Sequence, residues 1–266
     1  ARHKPFIIGV TGNLGKTSTK DAIFAVMKSH FYTRRSEKSF NSQFGVPLTI
    51  LGEKSGWGNP FRWALILIRG FFVIWQKNYP KYLVLEIGAD RPGDIRSIAE
   101  WVKPNITVVT QFGQVPVHIE FFPDRDAVIA EKGHLVESLN AMGLFIYNAD
   151  DNDAKRLLDK TEARKKSFGI HEKADIVAKK VRMYGKPFEG TEADIEIAGK
   201  SHHIVLPEVV GKSPIYCALP ALLIAEELHI PLDIACASLR DADKPKGRMR
   251  LLKGMNGSMI IDDTYN

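Results

Sequence analysis

The sequence lacks most of the features that would assign it quickly. It has two cysteines in 266 residues, Cys217 and Cys236, and their spacing fits neither a disulfide framework nor a zinc site. No apolar run reaches the roughly 20 residues that a membrane-spanning helix needs. There is no His-Glu-x-x-His, and no Pro-Cys-x-x-Cys follows His118-x-Glu120, which excludes the zincin and zinc deaminase signatures. Repeats and low-complexity tracts are absent. Charge is nearly balanced: Lys+Arg 37 against Asp+Glu 31 leaves +6, spread along the chain. With no RNA- or DNA-binding motif, that small excess suits anionic small ligands and gives no reason to expect nucleic acid as a partner. No secretory signal pattern is present, so the expected location is the cytoplasm. At 44% hydrophobic and 26% charged the chain can build one large core or two modest ones.

What is present is concentrated in residues 9–20, GVTGNLGKTSTK. A short apolar strand, 6–10, runs into a Gly-rich turn, and Lys16, Thr17 and Ser18 open a helix. This order suits a polyphosphate. Gly12 and Gly15 let the backbone around Asn13 approach phosphate oxygens. The helix N-terminus adds positive potential, Lys16 neutralises the outer phosphates, and Thr17 can ligate Mg²⁺. The strict pattern G-x-x-x-x-G-K-[ST] needs Gly at position 10, where this chain has Val10. A plain strand–turn–helix with a lysine on its first turn is the competing explanation.

Apolar runs alternate with helical periodicity. Strands are expected at 6–10, 82–86, 105–110 and 144–147, and helices at 16–29, 93–102, 124–139 and 152–159. Such alternation predicts βαβ units: an α/β fold with a P-loop-type, mostly parallel sheet flanked by helices. Residues 176–206 change to short alternating strands, expected as a small antiparallel β insert. A helical hairpin, 214–229 and 232–240, is expected after it. Residues 1–257 are expected to form one domain. The strand at 258–266 is expected to lead into a further domain, so that the whole reads as the middle of a longer protein.

Residues 57–76 hold three of the four tryptophans. Arg62, Arg69 and Gln76 recur every seven residues, which predicts a helix with one narrow polar stripe and a wide apolar face. The commoner arrangement is a helix packed on its own protein or on another domain. The sharper one is peripheral contact with a membrane or partner.

Chemistry-bearing residues fall at strand ends. Glu86 closes the strand at 82–86, at the carboxyl edge where open α/β sheets bind ligands, and is expected to supply a Mg²⁺ contact. Asp94 is expected to cap the following helix. His118 lies after the next strand, at the same edge, with a metal or phosphate role open. Asn148 to Asp151 ends another strand and is open to base or ribose contact, or to capping a helix through Asp151 or Asn152. Lys132 sits on a helix, where lysine is normally solvated.

Taken in order, these stretches resemble the Mur ligase family, most closely its D-alanyl-D-alanine-adding, MurF-type branch. The motifs are TGNLGKTSTK (11–20), NSQFGVPLTIL (41–51), LEIGADRPGDI (85–95), HIEFF (118–122), IAEKG (129–133), YNADD (147–151), KGRM (246–249) and IIDDTYN (260–266). The family's P-loop also lacks the strict first glycine, so Val10 becomes expected. The resemblance implies ATP and Mg²⁺. Lys16 and Thr17 would hold the outer phosphates and the metal. Glu86 and His118 would be magnesium ligands, and Arg248 would face the γ-phosphate. Asn148 and Asp262 would contact adenosine. Asn41, Ser42 and Gln43 would lie toward a UDP-muramyl-peptide. Lys132 would match a lysine that several members carry as a carbamate, which requires a neutral amine and so a depressed pKa.

The implied reaction activates a peptide carboxylate as an acyl phosphate, for attack by the amine of D-Ala-D-Ala. A different amino substrate within the family, or a P-loop scaffold without turnover, remains an alternative. The departures are Ser213 and Cys217, where the family has His and Asn in the segment expected to hold adenine, and Ser42 in place of an Asn.

Overall fold

The computed structural model describes residues 3–37, 40–114 and 119–265. The first strand, β1 (Phe6–Thr11), is followed by α1 (Lys16–Met27), β2 (Thr33–Arg35), α2 (Gly45–Leu51), α3 (Pro60–Val73) and β3 (Tyr82–Glu86). Then come α4 (Asp94–Val102), β4 (Ile106–Val109), α5 (Arg125–Glu137), β5 (Leu144–Asn148) and α6 (Asn152–Lys155). The chain continues through β6 (Arg164–Gly169), β7 (Ile176–Tyr184), β8 (Gly190–Ile197) and β9 (Lys200–Pro207), then α7 (Lys212–Glu227), α8 (Leu232–Arg240), β10 (Arg250–Lys253) and β11 (Met259–Asp262).

Nine strands form one sheet in the order β2-β3-β1-β4-β5-β6-β7-β8-β9. From β2 to β7 every pairing is parallel, with Ile8 opposite Val84 on one side and Ile106 on the other. The apolar runs are continuous because both faces are covered. Alternate residues go to opposite layers. Ile8, Val10, Val84, Ile106, Val108 and Ile146 pack under α1, α7 and α8. Leu83, Leu85 and Ile87 pack under α4 and α5. The strands β7, β8 and β9 pair antiparallel, with a register shift between Lys179 and Arg182, and extend the main sheet through β7. The antiparallel insert is therefore the sheet's own edge. The last strand, β11, folds back antiparallel on β10 as a two-stranded ribbon.

Four elements were not expected: β2, β6, β10 and α2. The helix expected over 152–159 is shorter, ending at Lys155 before a 3₁₀ turn at Leu158–Lys160. The expected helix at 57–76 is α3; against the described residues it buries only Ile66 and Val73.

The parallel order puts the carboxyl ends of β1, β3, β4 and β5 along one edge. Lys16 and Thr17 follow β1, and Glu86 and Asn148 close β3 and β5, whereas Asn41 follows β2, Lys132 lies on α5, and Arg248 and Asp262 come from the last strands.

Candidate active site

The Gly-rich turn is fixed from the neighbouring strand end. The backbone N–H groups of Asn13 and Leu14 donate to the Gln111 carbonyl (2.8 and 3.0 Å), and Asn13 Nδ2 donates to the Phe112 carbonyl (2.8 Å). The Thr110 hydroxyl donates to the Leu14 carbonyl at 2.7 Å. Two glycines are needed for this course. Gly12 has φ +132°, and a Cβ there would lie 2.1 Å from Thr110 Oγ1. Gly15 has φ +81°, and a Cβ there would lie 3.0 Å from Cys217 Sγ. Gly15 also opens α1 with no side-chain cap and no acidic residue in the first turn. The helix therefore starts with backbone N–H groups free of side-chain competition, the arrangement that receives anions.

Lys16 reaches back, its Nζ donating to the Asn13 carbonyl at 3.0 Å. Burial lowers its pKa; Glu86 opposes that shift and Arg248 adds to it. One face of the turn opens into a cleft of about 640 Å³. Lys16, Thr17, Ser18, Asn41, Glu86 and Arg248 all line it.

Thr17 Oγ1 and Glu86 Oε2 are buried and have no hydrogen-bond partner among the described residues. The other Glu86 oxygen accepts from Asn41 Nδ2 at 3.2 Å. Two buried hard oxygens without a hydrogen bond beside the Gly-rich turn fit Mg²⁺, which takes one or two protein ligands and completes its shell from phosphates and water. Accordingly, the described residues contain no cluster of three or more His, Cys, Asp or Glu able to hold a metal alone. His118 lies outside the described residues.

The far wall comes from the end of the chain. Asp262 Oδ2 accepts the Gly247 N–H at 2.9 Å, and Asp263 Oδ1 accepts the Met249 N–H at 3.2 Å. These bonds hold the loop carrying Arg248, whose guanidinium lies 3.9 Å from the centroid of the Tyr265 ring. Asp262 does not itself line the cleft. Pro207, Val209, Pro214, Leu239 and Met249 give the cleft an apolar end, with Ser213 and Cys217 among them. The Cys217 thiol, pushed up to about 11 by burial, donates to the Gly15 carbonyl at 3.6 Å.

The remaining expected residues sit elsewhere. Asn148 is buried at the end of β5, and its Oδ1 accepts the Asp150 N–H at 3.0 Å, away from the cleft. Asp150 accepts the N–H groups of Ile170, His171 and Glu172 and the Tyr216 hydroxyl. Asp151 caps α6 through the N–H groups of Asp153 and Ala154. Ser42 Oγ accepts the Gly45 N–H at the start of α2. Gln43 donates to Asp94 and Ser97, outside the cleft. Asp94 accepts the N–H groups of Asp90 and Arg91 in the turn before α4.

Lys132 is buried on α5. Burial first, and the Lys16 charge second, bring its pKa down to about 7. Its neighbour Glu131 accepts the N–H groups of Gly93, Ile95 and Arg96, tying α5 to the start of α4.

Reasoning on the sequence missed Gln111, Tyr265 and Asp243. Gln111 acts through its backbone, which no residue type reveals. Tyr265 was within reach, being two residues past the Asp263 that steadies Arg248. Asp243 pairs with Arg35, far away in sequence.

A strand, a Gly-rich turn, a helix opening on Lys-Thr and a carboxylate on the adjacent strand end together define a P-loop-type nucleotide-binding fold. The family model for the Mur ligase middle domain matches residues 64–225, and the chain belongs to that family. It is 27% identical over 261 residues to the UDP-N-acetylmuramoyl-tripeptide–D-alanyl-D-alanine ligase of Buchnera aphidicola subsp. Baizongia pistaciae, covering 98% of this chain and 50% of that protein. It is 25% identical over 260 residues to the enzyme of the same name from Bacillus subtilis, again covering 98% of this chain and 50% of that protein. Among solved structures, MurF from Acinetobacter baumannii superposes with a TM-score of 0.79 at 22% identity, covering 98% of this chain and 51% of that one. MurF ligase from Thermotoga maritima, solved in complex with ADP, gives 0.77 at 21% identity, covering 99% of this chain and 54% of that one. The chain thus spans about half the length of the curated relatives it matches.

Proposed function

We propose that this chain is the nucleotide-handling core of an ATP-dependent amide ligase of peptidoglycan precursor synthesis, acting on a UDP-muramyl-peptide and D-Ala-D-Ala. The observation that carries the reading is the pair of buried oxygens that accept no hydrogen bond, Thr17 Oγ1 and Glu86 Oε2, in one cleft with Lys16 and Arg248; Glu86 Oε2 has only the Lys20 ammonium 3.9 Å away. The relatives' names supply the substrates, and the ADP-bound Thermotoga neighbour supports the nucleotide.

In this reading the α1 N-terminus and Lys16 hold the β- and γ-phosphates, and Arg248 faces the γ-phosphate from the opposite wall. Thr17 and Glu86 would hold Mg²⁺, which when bound neutralises phosphate charge and polarises the transferred group. His118 is assigned to the same metal by the resemblance alone. The peptide carboxylate attacks the γ-phosphorus, the bond to the β-phosphate oxygen breaks, and ADP leaves. The incoming amine then attacks the acyl carbon, loses its proton, and phosphate departs from the tetrahedral intermediate. The chain's own contribution is positioning and charge compensation. A neutral Lys132 amine can take up CO₂, and the resulting carbamate is an anion suited to a second Mg²⁺.

Adenine would lie against Pro214 and Val209, near Ser213 and Cys217. Asn148 and Asp262 would act from behind the wall: Asp262 by fixing the Gly247 turn, Asn148 by shaping the end of β5. Asn41 faces the γ-phosphate side, with Ser42 and Gln43 further out toward the muramyl-peptide.

The test is ADP release with a UDP-muramyl-tripeptide and D-Ala-D-Ala, run on the chain and on any longer polypeptide that contains it. Release requiring both substrates, and abolished by Glu86→Ala, supports the reading. Release with a single amino acid in place of the dipeptide moves it elsewhere in the family. The chain by itself is expected to bind Mg-ATP weakly and not to ligate; tight Mg-ATP binding without release under any combination, by the longer polypeptide, leaves a scaffold.

A further inference from the structure

The helix α3 is turned inside out. At 100° per residue, its buried seam is Ile66 and Val73, with Gly70 close against Leu51 of α2. The outward side should then be polar, yet it is apolar across its width. Phe61 is 84% exposed, Leu67 70%, Phe71 64% and Phe72 58%, and Leu65 and Ile68 are exposed with them. The outward rings form a continuous surface: Phe71 and Trp75 have centroids 5.2 Å apart, and Phe72 and Trp75 5.8 Å. Exposed Trp57 stands before the helix and Trp75 after it. A patch of this kind marks an interaction site.

Charge selects the occupant. Between Glu53 and Glu86 there is no acidic residue, while Lys54, Arg62, Arg69, Lys77 and Lys81 are all there. Arg62 and Arg69 fall on one flank of α3, bordering the apolar face without interrupting it. Exposed tryptophans at both ends, aromatic and aliphatic residues between, and a border rich in cations, with Glu53 paired to Arg69 at 3.5 Å as its one acidic neighbour among the ion pairs of α3, are the composition of a helix lying in a membrane interface. The helix, about 21 Å long from its 14 residues, is too short to cross a hydrocarbon core of about 30 Å. No helix among the described residues is long and apolar enough to do so.

We propose that α3 is a membrane-docking helix that seats its outward face on an anionic bilayer, with Arg62, Arg69 and Lys77 at the headgroups. The surface is separate from the nucleotide cleft and the inference does not depend on the ligase reading.

The experiment is vesicle flotation of the whole chain. One vesicle set is phosphatidylcholine with roughly one quarter phosphatidylglycerol, the other is phosphatidylcholine alone. The chain is expected to float with the anionic vesicles. Phe71→Ser with Phe72→Ser should reduce partition by about tenfold or more. Arg62→Gln with Arg69→Gln should reduce it by about tenfold, on the anionic vesicles only. Thermal melts of both double variants, in solvent-exposed positions, should match the parent and exclude unfolding as the cause. Failure of the parent chain to float overturns the proposal, as does partition unchanged by the phenylalanine substitutions. Sedimentation showing a dimer that those substitutions dissolve, without vesicle binding, overturns it in favour of a second copy of the chain.

Discussion

Lys20 Nζ lies 3.9 Å from Glu86 Oε2, with the two side chains 1% and 2% exposed. The same ammonium is 3.3 Å from Asp21 Oδ1 and donates to the Ser36 carbonyl at 2.9 Å. A buried cation thus joins α1 to the end of β3, one turn behind the residues that face the cleft. Burial pushes the Asp21 carboxyl up, against the pull of Lys20 and Arg35. Removing the cation leaves two buried carboxylates undercompensated. Lys20→Met is therefore expected to cost about 3–5 kcal/mol of folding stability. Guanidinium unfolding checks it; a loss below about 0.5 kcal/mol would show that the pair is not holding α1 to β3.

Gly12→Ala tests the turn itself. The new methyl would meet Thr110 Oγ1 at 2.1 Å, at a φ of +132° that alanine rarely adopts. Because Thr110 also bonds the Leu14 carbonyl, it cannot yield without releasing the loop. Nucleotide affinity is expected to fall by at least about tenfold, with a stability loss of about 1–3 kcal/mol. Unchanged affinity in a calorimetric titration would show that the loop's course does not matter to binding.

Much of this was legible in the sequence, and the exceptions have physical causes. Strands β1, β3, β4 and β5 are buried on both faces, so they read as apolar runs, and their ends located Glu86 and the phosphate turn. Strand β2 is three polar residues, Thr33 to Arg35, held by pairing with β3 rather than by any pattern of its own. Strand β6 begins Arg-Lys-Lys, which suits an exposed strand start and hides the strand. Helix α2 is an apolar run with a proline in it, which matches neither period. For α3 the periodicity identified a helix with apolar residues on nearly every side. Which side faces the protein depends on contacts with α2 that no local pattern records. The stacking of Arg248 on Tyr265 and the bond of Asn13 to Phe112 are likewise long-range or backbone relationships.

Lys132 gives a pH dependence of definite sign. Its pKa in the folded protein is about 7, against 10.5 for an ordinary lysine. From pH 7 to 10.5 the unfolded chain holds a proton that the folded one has released, so stability rises with pH across that window. Below about 7 both forms are protonated and the burial penalty is present in full. Lys132→Met should flatten that rise. In ¹³C-bicarbonate, a carbamate resonance should grow in around neutral pH and be missing in Lys132→Met. A signal growing only near pH 10 would contradict a depressed amine.

Asp150 separates architecture from chemistry. It accepts three consecutive backbone N–H groups and the Tyr216 hydroxyl, outside the cleft. Asp150→Ala should lower stability by about 2–4 kcal/mol, from orphaned donors and a lost charged acceptor. Mg-ATP affinity of the folded fraction should stay within about threefold. A tenfold affinity loss without destabilisation would place Asp150 on the nucleotide instead.

The central claim is that the turn at 12–18 receives the phosphates of ATP with magnesium on Thr17 and Glu86. Calorimetric titration of the chain with Mg-ATP, and with AMP as the control, tests it most directly. Mg-ATP should bind more tightly than AMP. Lys16→Ala should weaken Mg-ATP by at least about tenfold while leaving AMP within about twofold, since one charged contact to a phosphate is worth about 1.5–3 kcal/mol. Equal affinity for ATP and AMP, or Mg-ATP binding indifferent to Lys16→Ala, would contradict the account.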